Sequence, residues 1–348
     1  MAPLIVDGRV IDRQGTCYVI AEVGHNHQGS LETAKKLFLA AKECGVDAVK
    51  LQKRNNRLLF TQAVFNQPYD HENSFGSTYG EHREALEFGE GEYRELQQYA
   101  RELGITMFAT AFDFSSVDFL AKLDVPAFKI ASGDLKNTPL LKYVARVCKP
   151  MFVSTGGGDM EDVQRAYDAI MPLNPQLCFM QCTASYPSDP EDMNLRVITT
   201  FLERFPDLVI GLSDHQSGIA ISLAAYVLGA RVIEKHFTLN RAIKGTDHAF
   251  SLEPVGLRKL VRDLRRTLAA MGDGIKRPLA KEAKPLFKMG KKLLAALDLP
   301  GGTVLAATDV AIKSPNDGMP PYKLDRVLGK TLARDLREDD NIAFADLR

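Results

Sequence analysis

From residue 17 onward the chain alternates between short β-rich apolar runs and longer stretches in which apolar positions recur every three or four residues. The two spacings belong to strands and helices, because strand side chains alternate between faces while helical ones return to a face after about 3.6 positions. Eight short runs stand out, at residues 18–23, 48–52, 106–110, 127–131, 151–155, 177–181, 209–213 and 232–236. Helical spacing occupies, among other stretches, 31–44, 92–103, 161–170 and 256–271. Strand followed by helix, repeated, is the pattern of βα units around a parallel sheet. Eight units predict an α/β chain closed as a (β/α)8 TIM barrel, with its active site at the C-terminal strand ends. An open doubly wound sheet would carry a Gly-rich phosphate loop after its first strand. Glu22-Val23-Gly24-His25-Asn26-His27 is no such loop, so the barrel is preferred.

Two stretches break the repeat. Residues 53–88 are too long for an ordinary βα connection and are rich in Asn, His, Tyr, Gly and Glu, as functional loops at a barrel mouth are. Around 277–288 the helical pattern gives way to Pro278, Pro285 and several lysines, which reads as a linker. Short strands then follow at 293–297, 303–305 and 310–312, with a turn cluster at 314–321. The expected organisation is a barrel over 1–276, a linker over 277–288 and a small β-rich domain over 289–348.

Composition narrows the partners. The 44 basic residues balance 44 acidic ones, which leaves no charge surplus for nucleic acid or an anionic membrane. The longest apolar stretch, 218–230, is too short and interrupted to span a bilayer, and residues 1–6 lack the features of a signal segment. A cytoplasmic location is expected. The five cysteines have no metal-ligand or redox spacing and read as buried reduced thiols.

Polar residues inside the apolar runs mark the candidate chemistry. Lys50 and Lys129 each lie in a strand, where an unpaired charge costs several kcal/mol unless it is paired or meets a ligand. They read as holders of one anionic substrate, or as partners of a neighbouring carboxylate such as Glu22. Hydroxyls at other strand ends, Thr110, Ser132, Ser154, Thr155, Thr183 and Ser213, would complete a phosphate cradle. Glu22, Asp134, Glu234 and Asp247 form a carboxylate set suited to moving protons or holding hydroxyls. Ser213 and His215 share one strand face and Glu234 and His236 share another, so the two imidazoles meet at one mouth. A site of that kind, open and free of thiolate, suits manganese first, then magnesium or cobalt. On these residues alone a metal-dependent barrel hydrolase remains the competing enzyme class.

Read together, these stretches resemble the sialic acid synthase family. The resemblance is carried by Ala21-Glu22-Val23-Gly24-His25-Asn26-His27, Lys50-Leu51-Gln52-Lys53, Lys129-Ile130-Ala131-Ser132-Gly133-Asp134, Gln181-Cys182-Thr183-Ala184-Ser185-Tyr186-Pro187, Gly211-Leu212-Ser213-Asp214-His215, Glu234-Lys235-His236 and Gly245-Thr246-Asp247-His248. It implies a barrel followed by an antifreeze-like (SAF, β-clip) domain. It also implies a transferase that condenses phosphoenolpyruvate with the open-chain aldehyde of N-acetylmannosamine, giving N-acetylneuraminate and phosphate by C–O cleavage. Under this resemblance His215 and His236 hold the metal, Lys50 meets the carboxylate, and Lys129 with Thr110, Ser132 and Ser213 meets the phosphate. Glu234 assists water, while Glu22, Gln52, Asp134, Tyr186 and Asp247 contact the sugar. A domain-swapped homodimer is implied as well.

Two positions depart from the bacterial pattern. Ala184 replaces an Asn, shifting a phosphate contact to Ser185 or to backbone amides, and Ser314-Pro315-Asn316 replaces an Arg-Pro-Gly that reaches the acyl group. The stretches 78–83, 86–88 and 194–198 resemble the animal-type branch, which takes N-acetylmannosamine 6-phosphate, and the Lys, Arg and His residues of 53–83 would suit that phosphate. The 6-phosphate, or a related hexose giving KDN or legionaminate, is therefore the alternative acceptor. Lys129→Ala is expected to abolish turnover with little change in thermal midpoint; unfolding instead would make the lysine a purely structural ion-pair partner.

Overall fold

A computed structural model describes residues 4–348, which fall into two compact units divided after Gly272. In the first, eight parallel strands close into a barrel. They are β3 (Tyr18–Gly24), β4 (Ala48–Lys53), β5 (Thr106–Ala111), β6 (Phe128–Ile130), β7 (Met151–Ser154), β8 (Leu177–Cys182), β9 (Val209–Asp214) and β10 (Val232–His236), with β10 pairing back onto β3. Each runs close to an expected apolar run. The fourth is shorter than 127–131 because the chain turns into a 3-10 turn at Ser132–Asp134. An antiparallel hairpin, β1 (Leu4–Val6) and β2 (Arg9–Ile11), precedes the barrel and was not anticipated. Its signal is the two-residue Asp7-Gly8 turn, where φ of 50° and 78° supplies the left-handed pair such a hairpin needs.

Every residue of β3 is buried, as expected of a strand covered on both faces. Residues of one parity point into the barrel. Low in it, Tyr18 and Phe108 flank Phe152 with centroids 6.3 and 5.5 Å away, forming an apolar floor. Above the floor the same parity delivers polar side chains, because the register sets Glu22 beside Lys50, Thr110 beside Lys129, Ser213 beside Glu234, and His236 beside Glu22. Helices cover the outside. Leu31–Cys44 is typical, with the Ser30 side chain accepting from the Thr33 amide at its start and Gly45 at φ 82° ending it.

Residues 53–88 carry three short helices, Asn56–Leu59, Gln62–Phe65 and Tyr79–Glu84. Buried His82 gathers the loop before the last of them onto that helix, its ring 4.7, 5.9 and 6.4 Å from those of Tyr69, Phe75 and Tyr79. Four of the five thiols are buried as expected, and Cys148 is exposed because it follows the helix Thr138–Ala145 in a surface turn.

The second unit is a small β-rich body. Strands β11 (Lys292–Ala295) and β12 (Val310–Lys313) pair antiparallel over a core that includes Leu293, Leu299, Leu305, Leu332 and Ile342. The expected strand at 303–305 is reduced to one bridge between Val304 and Thr331. The expected linker is part helical, over Ala283–Met289, because Pro285 lies in the first turn, where no backbone donor is required. No helix among the described residues is long and apolar enough to cross a membrane.

Gly211 lies where β9 meets β10, and a Cβ there would stand 2.8 Å from the Val232 carbonyl oxygen. Gly211→Ala is expected to cost about 1–3 kcal/mol by overpacking, read from urea unfolding. An unchanged midpoint would show that the strands part without strain.

Candidate active site

The strand ends enclose a cavity of about 470 Å³. Its floor is a ring of alternating charges, each at most 4% exposed: Glu22, Lys50, Glu234 and Lys129. Lys50 Nζ stands 2.7 Å from Glu22 Oε2 and 3.7 Å from Glu234 Oε2, and Lys129 Nζ stands 3.6 Å from Glu234 Oε1. Hydroxyls and an amide complete the ring. Lys50 donates to Thr110 Oγ1 (2.8 Å), Lys129 to Ser154 Oγ (2.6 Å), Ser213 to Glu234 Oε1 (3.1 Å), and Gln52 Nε2 to Glu22 Oε1 (2.7 Å). The 2.7 Å contact of Glu22 Oε2 is an ion contact without hydrogen-bond alignment, so that oxygen and Glu234 Oε2 have no hydrogen-bond donor.

The two carboxylates are pushed apart. Burial raises the Glu22 pKa, with Lys50 opposing and the Glu234 charge reinforcing it. Burial acts on Glu234 as well, but Lys129 and Lys50 together outweigh it and hold this carboxyl below its usual range. Two adjacent carboxyls pushed in opposite directions, Glu22 toward holding a proton and Glu234 toward losing one, suit acid–base work. Burial lowers the Lys129 pKa against the attraction of Glu234.

His215 and His236 meet beside the ring, centroids 5.3 Å apart. His215 Nδ1 lies 3.0 Å from the Thr183 carbonyl, which only accepts, so Nδ1 carries a proton and Nε2 is the nitrogen left to ligate. Burial lowers the His215 pKa, but the Cys182 sulfur 3.9 Å from Nδ1, the Thr183 carbonyl and Glu234 outweigh it and raise it. His236 Nδ1 is buried without a hydrogen-bond partner, 3.7 Å from Asp247 Oδ2. Burial and then His215 push the His236 pKa well down, leaving a neutral imidazole, the form that ligates. No three His, Cys, Asp or Glu side chains gather as a metal cluster among the described residues. The orphaned His236 nitrogen and the two convergent imidazoles fit a divalent cation that completes its shell with water and substrate oxygens. Tyr186 leans on His215 at 4.2 Å between centroids.

Glu22, Lys50, Gln52, Thr110, Lys129, Ser132, Ser154, Tyr186, Ser213, His215, Glu234, His236 and Asp247 all line the cavity. Four other candidates point elsewhere. Thr183 Oγ1 donates to the Asp192 carbonyl (2.9 Å), Ser185 Oγ to the Pro187 carbonyl (2.7 Å) and Thr155 Oγ1 to the Met180 carbonyl (3.0 Å). Asp134 accepts from Asn137 Nδ2 (3.0 Å). All four lie beyond the last residues of their strands, where local hydrogen bonds rather than the ladder set direction.

Two arginines on the cavity wall were not singled out from the sequence, beyond the general basic character of their loop. Arg54 follows β4 and is stacked 3.9 Å over the Phe112 ring, and Arg83 comes from the helix Tyr79–Glu84. They flank His25, with Arg54 Nη1 2.8 Å from its Nε2 and Arg83 Nη1 3.3 Å from its Nδ1. Burial and the two guanidiniums keep His25 neutral. Burial and the nearby Arg83 push the Arg54 pKa down to about 10, with Glu87 opposing them only in part. Its nearest carboxylate oxygen, on Glu87, is 3.8 Å away. The loop bearing Asp247 is tied to this region, since the Gly245 amide donates to Asn73 Oδ1 (2.8 Å) and Lys244 Nζ lies 4.8 Å over the Phe75 ring.

A closed (β/α)8 barrel whose C-terminal strand ends gather paired lysines, paired carboxylates and two imidazoles in one cavity has the form of a barrel enzyme's active site. The profile of the NeuB family matches residues 37–276, that of the SAF domain matches 293–348, and the chain belongs to the NeuB family. It is 44% identical over 336 residues, 96% of this chain and 94% of the relative, to N-acetylneuraminate-9-phosphate synthase of Homo sapiens. It is 36% identical over 327 residues, 92% of each, to N,N'-diacetyllegionaminic acid synthase of Legionella pneumophila. Among solved structures it is similar to the N-acetylneuraminic acid synthetase of Leptospira borgpetersenii in complex with citrate, with a TM-score of 0.71, 29% identity, and coverage of 81% of this chain and 94% of that one. The second unit is thus a SAF domain, and the chain is a synthase of the sialic acid class.

Glu234→Gln removes one of two negative charges facing two buried lysines. It is expected to tighten inorganic phosphate binding about tenfold or more by calorimetry and to lower turnover about 100-fold or more. Unchanged or weaker phosphate binding would show that the lysines do not hold anions.

Proposed function

We propose that the protein condenses phosphoenolpyruvate with the open-chain aldehyde of an N-acylmannosamine bearing a 6-phosphate, forming a nine-carbon 2-keto acid 9-phosphate and inorganic phosphate. The observation that carries the acceptor is the Arg54–Arg83 pair, a second cationic centre on the cavity wall apart from the lysine ring. Guanidiniums suit phosphate because their planar donors match its oxygens. The 44% identical relative, named for a 9-phosphate product, supports the same reading, which favours the phosphorylated sugar over the plain N-acetylmannosamine expected first.

Phosphoenolpyruvate lies over the ring, its carboxylate toward Lys50 and its phosphate toward Lys129, Thr110, Ser132 and Ser213. Its methylene carbon attacks the aldehyde carbon, and Glu22, which takes up a proton from solvent as Lys50 turns to the substrate carboxylate, gives it to the aldehyde oxygen as that carbon–carbon bond forms. The positive charge left at C2 is met by water, whose proton passes to ionised Glu234. The C2–O bond to phosphorus then breaks, phosphate leaves, and loss of the hydroxyl proton yields the ketone. His215 and His236 would hold a divalent cation, manganese first, which when bound supplies polarisation of the aldehyde carbonyl. Gln52, Tyr186 and Asp247 line the sugar's side of the cavity.

A homodimer belongs to this reading, because in the second unit Leu279, Leu286, Phe287 and Met289 are all about half exposed or more, an apolar set suited to a second copy. A cytoplasmic setting follows from phosphorylated substrates.

The test is phosphate release from phosphoenolpyruvate with N-acetylmannosamine, its 6-phosphate, mannose 6-phosphate and a 6-deoxy-diacetamido hexose. The 6-phosphate is expected to lead in kcat/KM by about tenfold or more, and Arg54→Met or Arg83→Met to erase that lead while KM for phosphoenolpyruvate holds. Equal rates with and without the 6-phosphate overturn the acceptor, and no release with any N-acylmannosamine overturns the synthase.

A further inference from the structure

On the outer face of the same strands lies an ion pair that the chemistry above does not use. Asp214 and Lys235 are register partners on β9 and β10, both 1% exposed, with Lys235 Nζ 3.1 Å from Asp214 Oδ2. Each immediately precedes one of the two histidines. By parity they point toward the helical layer, where barrels ordinarily pack apolar side chains. A buried pair gives little net stability there, since apolar side chains of similar volume do as well or better.

Its hydrogen bonds show what else it does. Ser222 Oγ donates to Asp214 Oδ2 (2.6 Å), tying the pair to the helix Ala220–Val227. The Gln216 amide donates to Asp214 Oδ1 (2.9 Å), and Lys235 Nζ donates to the Gln216 carbonyl. Both polar groups of the residue after His215 are thus held by the residues that precede His215 and His236. His215 is left without freedom to swing on its strand end, and its separation from His236 is fixed through Lys235.

We propose that Asp214 and Lys235 are positioning residues that hold the two imidazoles at the spacing a divalent cation requires. This rests on the reading that His215 and His236 ligate such a cation. Groups that orient metal ligands from behind typically affect affinity about 10–100-fold.

The test uses the full-length protein and manganese alone, followed by loss of the free Mn2+ electron paramagnetic resonance signal. Asp214→Leu combined with Lys235→Met removes both charges together, so neither is left buried unpaired. It is expected to keep a cooperative thermal transition near the parent's while the Mn2+ dissociation constant rises about tenfold or more. Ser222→Ala, which removes one hydrogen bond to Asp214, is expected to weaken Mn2+ binding about twofold to fivefold and decides the matter if the double variant does not fold. Mn2+ binding lost in His215→Ala but unchanged in the folded double variant, or in Ser222→Ala where the double variant fails to fold, overturns the positioning role alone. Binding retained in His215→Ala and His236→Ala overturns the metal reading, and this proposal with it.

Discussion

The buried ring of two carboxylates and two ammonium groups is the constraint around which the barrel mouth is organised. Four charges out of water cost far more than the protein's net stability unless each faces an opposite charge, and removing one partner of such a set costs about 3–5 kcal/mol. The alternation of Glu22, Lys50, Glu234 and Lys129 satisfies this because neighbouring strands deliver them in register. The aromatic floor of Tyr18, Phe108 and Phe152 fixes the depth at which the register opens from apolar to polar. Without that floor the ring would be wet and its electrostatics screened.

The ring also divides labour. Its lysines are neutralised in advance, so an entering dianion competes with carboxylates for them rather than meeting bare charge. As the lysines turn to substrate, Glu22 and Glu234 are freed for proton traffic. The histidines sit outside this exchange, and the guanidiniums around His25 stand farther up the wall, held by Phe112, Tyr79 and Gln52, with Glu87 the one carboxylate within 4 Å of Arg54. The molecule thus separates bond-making at the bottom of the cavity from recognition nearer its rim.

What the sequence disclosed follows this division. All eight barrel strands were legible because double-sided burial writes them as apolar runs, and within them parity correctly turned Lys50, Gln52, Thr110, Lys129, Ser213, Glu234 and His236 inward. Past a strand's last residue parity is no longer dependable, although it still turns His215 inward. Thr155, Thr183, Ser185 and Asp134 look equivalent to their neighbours in sequence, yet local carbonyls and Asn137 take their polar atoms. Arg54 and Arg83 were hidden for the converse reason. Their direction depends on how 53–88 folds around His82, a tertiary matter with no period. The outward Asp214–Lys235 pair was readable as charges in apolar runs, but only the register shows that they are partners.

The tether between Asn73 and Gly245 joins the segment that carries Arg83 to the loop that carries Asp247. Two separate flaps would each open on a schedule of their own, and a sugar would pass whenever either did. The single hydrogen bond makes the two segments one wall. In the proposed reaction, an acceptor that reaches both Arg83 and Asp247 would bridge the same two segments that this hydrogen bond already joins, and so would add to a tie present before it binds.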